Sequence, residues 1–224
     1  MTITTDAKTI IDRASTLLND TQNKHWYESE LLGYLNAGQL EIATLANGNP
    51  KVASVQLAAG VMQALPSDGA ALIDILYNMG AAGATIGTAI NRVPLEIMRK
   101  RLPNWMTTTA NGVVKHYVYN GDDPLRFMVY PPQPATPQYV EINYSAVPAV
   151  ITNCDFGTKI TIADYYANPL LDYVMYRALG KDSEYGNQAG QSQGHYQAFA
   201  QFLGIKLRTD NSANNKAQPT NQAQ

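Results

Sequence analysis

The stretch Asp164–Leu203, DYYANPLLDYVMYRALGKDSEYGNQAGQSQGHYQAFAQFL, decides how the rest of the chain is read. Ala167, Leu170, Leu171, Val174, Met175 and Ala178 recur at the i, i+3, i+4, i+7, i+8 spacing of one buried helical face. Asn168-Pro169 supplies a start signal, an N-cap side chain and then a proline whose missing N–H costs nothing at the first helical position, and Asp164 can cap a short turn before it. Tyr185, Ala189, Ser192, Tyr196, Phe199 and Leu203 then alternate steps of four and three, the seam of a second helix packed along another. Gly186, Gly190 and Gly194 share a different stripe of that helix. Each glycine costs about 1 kcal/mol against alanine, so either the segment is irregular or close approach of another helix along this smooth stripe offsets them, and the regular opposite seam favours packing.

The N-terminal part reads in the same way. Thr5-Asp6 caps a helix whose face is Ile10, Ile11, Ala14, Leu17 and Leu18. A second helix follows His25-Trp26-Tyr27, with Glu28 and Glu30 favouring the dipole of its first turn and Leu31, Leu35, Gly38, Ile42 and Leu45 along its seam. Asn47-Gly48-Asn49-Pro50 ends it, with the glycine placed for the left-handed residue of the cap.

From Pro50 the period falls to two. Ser54–Leu57 and Val61–Leu65 around Ala58-Ala59-Gly60 predict a hairpin. Strands are predicted at Ala71–Met79, up to Asn91, at Val113–Asn120, Phe127–Tyr130 and Tyr139–Ser145, with a short helix at Pro94–Leu102 and loop or extended chain through the prolines of Pro131–Pro137. Lys159–Ile162 can add one short strand. The expected fold class is therefore α+β: a discontinuous helical domain from 1–49 and 163–204 and an inserted β-rich domain at 50–162. An extended C-terminal tail at 205–224 holds only Ile205 and Leu207 as large aliphatics and cannot bury enough surface to fold alone.

Composition excludes more than it assigns. A net charge of −2 gives no overall basic field for nucleic acid or anionic lipid, and no apolar run approaches the ~18 residues of a membrane span. Met1–Lys8 carries no apolar core of a signal peptide, so a soluble protein of a reducing compartment is expected. Cys154 stands alone, which excludes an internal disulfide and a multi-cysteine metal site. Charged residues reach only 15%, against the usual ~25%, while tyrosines number 14; this suits surfaces that end against other protein, or a neutral β-rich surface.

The motifs are weak as chemistry. Gly190-Gln191-Ser192-Gln193-Gly194 matches the G-x-S-x-G of a hydrolase elbow, but no apolar strand precedes it, Ser192 sits in a helical seam, and the triad order fails. His25, His116 and His195 lie in separate elements without metal-ligand spacing, and Gly80–Gly87 lacks the spacing of a phosphate loop. Arg99-Lys100-Arg101, with Arg92 nearby, is the one basic cluster; it suits the C-terminal dipole of a short helix, with contact to DNA or an acidic neighbouring subunit as the alternative. No cofactor, metal or catalytic residue is expected.

A set of short stretches spans nearly the whole chain in order. Leu17-Leu18-Asn19-Asp20 precedes Trp26, Glu30-Leu31-Leu32, Leu35-Asn36 and Glu41-Ile42; Leu57, Gly60, Gln63 and Leu65-Pro66 follow. Pro103-Asn104-Trp105, His116-Tyr117-Val118-Tyr119, Asp123-Pro124, Tyr130-Pro131-Pro132 and Tyr144-Ser145-Ala146-Val147-Pro148 come next. Leu170-Leu171-Asp172-Tyr173, Tyr176-Arg177-Ala178, Lys181-Asp182-Ser183-Glu184-Tyr185 and His195-Tyr196-Gln197-Ala198-Phe199 complete the set. Together they resemble the adaptor proteins of tailed, podovirus-like phages, the head-to-tail connectors. Departures at Tyr27, Pro169 and Gly180 bear on helix boundaries.

The resemblance implies a structural virion protein of the neck or tail, assembled in the host cytoplasm and without enzymatic activity. It implies a homo-oligomeric ring, a dodecamer, between the portal protein ring and tail tube, nozzle or fibre proteins, with DNA only as passing cargo and no membrane partner. Such a ring needs heterologous interfaces on both flanks of each subunit. Ile205, Lys206, Leu207 and Arg208 are the expected portal contacts, and Arg99, Lys100, Arg101, Tyr185 and Tyr196 the expected subunit-interface or channel residues. A DNA-binding or other phage accessory protein is the alternative, and a serine hydrolase a remote one.

Overall fold

The computed structural model describes residues 4–136, 138–181 and 188–216, with side chains described as far as Gly204. The fold is α+β and divides into two units, Met1–Gly48 with Pro148–Gln224, and Asn49–Val147.

Among the described residues the first unit holds four α-helices: α1 (Ala7–Leu17), α2 (Glu28–Ala46), α4 (Ala167–Lys181) and α5 (Gln188–Lys216). Leu31, Leu35 and Ile42 of α2 meet Leu170, Val174 and Ala178 of α4 in one core, joined by Ile10 and Ala14 of α1 and Phe199 and Leu203 of α5. Gly38 allows the close approach of α2 to α4: a Cβ there would lie 2.9 Å from Tyr173 Cδ1 and 3.1 Å from Leu170 Cδ2. The Trp26 indole N–H donates to the Ala178 carbonyl at 3.0 Å, tying the chain before α2 to the end of α4. Asp20 closes the preceding loop by accepting the backbone N–H groups of Lys24, His25 and Trp26, which hold its carboxyl below the usual range.

Several sequence expectations shift. Helix α4 starts at Ala167, continuous with a 3-10 turn at Asp164–Tyr166. Pro169 therefore sits within the first turn, where N–H groups have no intrahelical partner anyway. Asp164 does not cap that turn; its carboxylate accepts the N–H groups of Thr4 and Thr5 at 2.9–3.0 Å and fastens the N-terminus instead. Asp6 stands at the N-cap of α1, but its side chain pairs with Lys159 at 2.7 Å and makes no capping bond. Leu17 and Leu45 are 55% and 51% exposed, because the buried rows of α1 and α2 close on Leu18 and Ala46 instead. The left-handed C-cap of α2 is Asn47, at φ 49°; Gly48 is required for space, since a Cβ would strike Ile42 and Tyr166.

The segment 148–162, expected in the β region, belongs to the helical unit. Two amides of α2 hold it there. Asn36 exchanges a pair of hydrogen bonds with the backbone of Ile151, and buried Gln39 accepts from the N–H and hydroxyl of Thr161. Ile151, Cys154, Ile160 and Ile162 then enter the helical core, and the short strand at Lys159–Ile162 reduces to a single bridge between Asp6 and Lys159.

The second unit holds two sheets around a shared core. One is three-stranded and antiparallel, in the order β1 (Pro50–Gln56), β7 (Tyr139–Ala146), β3 (Gly69–Gly80). The other is four-stranded, in the order β2 (Gly60–Ala64), β6 (Arg126–Gln133), β5 (His116–Val118), β4 (Asn91–Arg92). Val140, Ile142 and Tyr144 of β7 alternate inward against Tyr117, Phe127 and Val129 of the other sheet. The predicted hairpin at Ser54–Leu65 does not form: β1 pairs with β7 and β2 with β6. The connection is closed by the buried Gln63 side chain, which binds both the N–H and the carbonyl of Ala58. Strand β6 runs past Tyr130 through a cis Tyr130-Pro131 bond, and its prolines fall where the β2–β6 register shifts, so no ladder N–H is needed there.

Candidate assembly surfaces

Helix α5 lies on α4 by a narrow aromatic seam. Tyr173 and Phe199 rings are 5.1 Å apart and Tyr176 and Tyr196 rings 4.8 Å apart. Tyr196 is only partly covered by this packing, at 40% exposure, whereas Phe199 and Leu203 are buried. Gly190 and Gly194 face away from the seam, and a Cβ at Gly194 would meet nothing within 4 Å. The expected helix on the glycine stripe is thus not supplied by the described residues of this chain.

Beyond Gly204 the backbone of α5 continues as helix to Lys216, so the change in composition at Ile205 does not end the helix. Ile205, Lys206, Leu207 and Arg208 lie on this continuation, with side chains outside the described residues, and Tyr185 and Gly186 lie outside them altogether.

Ser192 is buried one turn into α5 and donates its hydroxyl to the Tyr176 carbonyl at 2.8 Å. A serine inside a helix with its hydroxyl committed to a backbone carbonyl does not stand on the sharp strand-to-helix turn of a nucleophile elbow. His195 Nδ1 lies 2.9 Å from Asp172 Oδ1, a pairing across α4 and α5 that the residue order alone did not reveal. Burial pushes the Cys154 thiol up to about 11, away from the thiolate a reactive cysteine needs. Among the described residues no group of three or more His, Cys, Asp or Glu side chains could hold a metal, and no helix is long and apolar enough to cross a membrane.

Two shallow grooves on the helical unit share Leu17. One, of about 510 Å³, runs between Leu17, Asp172, Met175, Leu179, Gly194 and Ala198. The other, of about 500 Å³, is bounded by Asp12, Arg13, Thr16 and Phe156, the last 76% exposed. Phe156 carried no periodic signal; it stands in a turn before Gly157, which adopts φ +96°.

In the second unit, the predicted basic cluster forms the last turn of α3 (Leu95–Arg101). Met98 anchors α3 on Trp105 and on Val118 of β5, which leaves Arg99, Lys100 and Arg101 in solvent. Arg92 lies on β4, the edge strand beside β5, with its guanidinium 5.6 Å from the Tyr119 ring. The parallel pairing of β4 with β5 also brings exposed Lys115 to this edge, a residue the sequence reading did not include.

The whole arrangement is one of packing faces. A family model, the SU10 adaptor protein, matches residues 5–222. The chain belongs to that family. The match runs through both units and along α5 past Gly204. No curated protein matches the chain. Membership of this adaptor family gives the protein a structural role as a phage virion component. The adaptor is thus described by the surfaces it offers to other proteins.

Proposed function

We propose that this adaptor assembles as a homo-oligomeric ring, a dodecamer, that joins the portal to the tail and leaves a channel through which DNA passes during genome ejection. The observation that carries the reading is the family match across residues 5–222, which includes α5 beyond Gly204, where composition alone gives no reason for order. Its partners are the portal ring on one side and tail tube, nozzle or fibre proteins on the other.

Ile205, Lys206, Leu207 and Arg208 are the portal contacts in this reading, two apolar anchors alternating with two cations. Tyr185 and Tyr196 on the helical side and Arg99, Lys100 and Arg101 on the β side are subunit-interface or channel residues. The half-covered Tyr196 ring and the open glycine stripe support the first assignment, since heterologous ring contacts require an uncovered face on each flank.

Deleting 205–224 tests the portal assignment. The truncated chain should stay folded, losing only the helical circular dichroism of residues 205–216, and lose co-sedimentation with purified portal; retained co-sedimentation would remove these residues from that role. Electron microscopy of the full chain mixed with portal tests the ring directly, and a single particle without a closed annulus would overturn it.

A further inference from the structure

Between Asn91 and Val118 the chain carries Arg92, Arg99, Lys100, Arg101 and Lys115 against Glu96 alone, a local charge of +4 in a protein whose net charge is −2. Pairing of β4 with β5 brings Arg92 and Lys115 to the sheet edge, and Met98 anchors α3, with its three cations, on Val118 of the strand next to that edge. Among the described residues none of the five cations is in an ion pair, whereas the other two cations of this unit are: Lys51 with Asp68 and Arg126 with Asp123. The segment that forms α3 and the turn after it exposes three large apolar side chains, Ile97 at 44%, Leu102 at 37% and Met106 at 49%.

Resting on the adaptor reading, we propose that this α3–β4 edge is a docking face for an acidic protein surface that brings carboxylates to the cations and an apolar contact to Ile97, Leu102 and Met106. The apolar residues decide between the two polyanions such a patch could meet. A duplex backbone offers phosphates and sugars, and its sequence-independent contacts are made by cations and hydrogen-bond donors. Aliphatic and methionine side chains placed among the arginines gain nothing from phosphates. Protein interfaces, in contrast, are enriched in Met and Arg together and gain from burying aliphatic surface. Unpaired cations steer an acidic partner and penalise a basic one.

The test uses virions carrying the full chain. Zero-length carbodiimide coupling joins lysine amines only to carboxylates, so mass spectrometry of coupled particles should show Lys100 linked to an Asp or Glu of another polypeptide. Arg99→Gln/Lys100→Gln/Arg101→Gln should fold with unchanged circular dichroism and fall roughly tenfold in incorporation into particles, the loss expected for about three surface ion pairs. Ile97→Ser/Met106→Ser, which leaves the charges in place, should also reduce incorporation. A short random-sequence duplex should bind the wild type and the triple variant equally weakly.

Particles that contain the chain but give no Lys100–carboxylate link would overturn the docking face and leave the adaptor reading intact. Salt-sensitive duplex binding lost in the triple variant would reassign the edge to DNA. Absence of the wild-type chain from purified particles would defeat the adaptor reading itself.

Discussion

The two units of this chain treat their cations differently. In the helical unit Lys8 bonds Glu28 at 2.6 Å and Asp12 at 3.0 Å, Lys159 bonds Asp6, Lys181 bonds Glu30, and Arg177 lies over the Tyr34 ring. Glu28 raises the Lys8 pKa above its ordinary value, and elsewhere in the unit burial, and then the bond to Glu30, pushes the Tyr34 hydroxyl up to about 12. In the β unit the ion pairs lie at Lys51 and Arg126 and Arg92 lies over the Tyr119 ring, while Arg99, Lys100, Arg101 and Lys115 are left open. The contrast teaches where to look for partners. A unit whose side chains satisfy one another is organised for its own stability, and the apolar faces it leaves uncovered are its contact surfaces. A unit that leaves like charges adjacent has kept a surface whose electrostatics are completed from outside.

The largest effect that could break this contrast lies in the helical unit. Phe199 is 1% exposed and packs on Tyr173, and it is the main anchor of the narrow α5 seam. Phe199→Ala should cost about 3–5 kcal/mol in urea unfolding monitored by circular dichroism. A cost below about 1 kcal/mol would mean that α5 is not held by this seam. In the β unit the comparable site is polar. Buried Asn78 donates to the Thr88 carbonyl, the Thr88 hydroxyl and the Val114 carbonyl, and accepts the Val114 N–H. Asn78→Leu strands these groups and should cost about 2–3 kcal/mol, read in the same unfolding experiment.

These two sites differ in how far the sequence revealed them. Phe199 was readable because one helical seam repeats every three or four residues, and the α4 face and the alternation of β7 were readable for the same reason. Asn78 was not, because its partners Thr88 and Val114 are brought to it by the path of the 81–90 loop and by a chain segment 36 residues on, which no period encodes. The failed hairpin has a similar cause. Ser54–Leu65 carries correct local turn chemistry, but Gln63 closes the turn from the side, and the long-range registers of β1 with β7 and β2 with β6 take the strands apart. Segment 148–162 looked like more β chain, because Asn36 and Gln39 reach it across 115 and 122 residues. At the candidate surfaces, Arg99–Arg101 was legible as a run of charge. Its neighbour Lys115 was not, since a parallel pairing of two residues leaves no pattern.

A smaller effect is pH-dependent. The Thr5 and Thr4 N–H groups hold the Asp164 carboxyl at about 2, below the ordinary 3.8. A folded-state pKa lowered in this way gives stability that is present above the ordinary value and is lost as pH falls toward about 2. Thr4 and Thr5 should therefore become accessible to amide exchange between about pH 4 and 2 before the helical core opens. In Asp164→Asn, that early step should disappear from the pH profile; its persistence would place the acid-sensitive contact elsewhere.

The smallest effect sharpens the comparison most. Lys181 donates to Glu30 at 2.8 Å and to the His25 carbonyl at 3.2 Å, across the two ends of the helical unit, whereas exposed Lys100 meets no carboxylate of the described residues. Lys181→Met should destabilise the isolated chain by about 0.5–1 kcal/mol, the range of a partly exposed pair. Lys100→Met should stay within about ±0.5 kcal/mol, because it removes only repulsion from Arg99 and Arg101 and a modest dipole contact. Added salt should narrow the difference by screening the pair. Equal costs would mean that Lys100 is paired within its own chain, and the α3–β4 edge would then have nothing left to offer a partner.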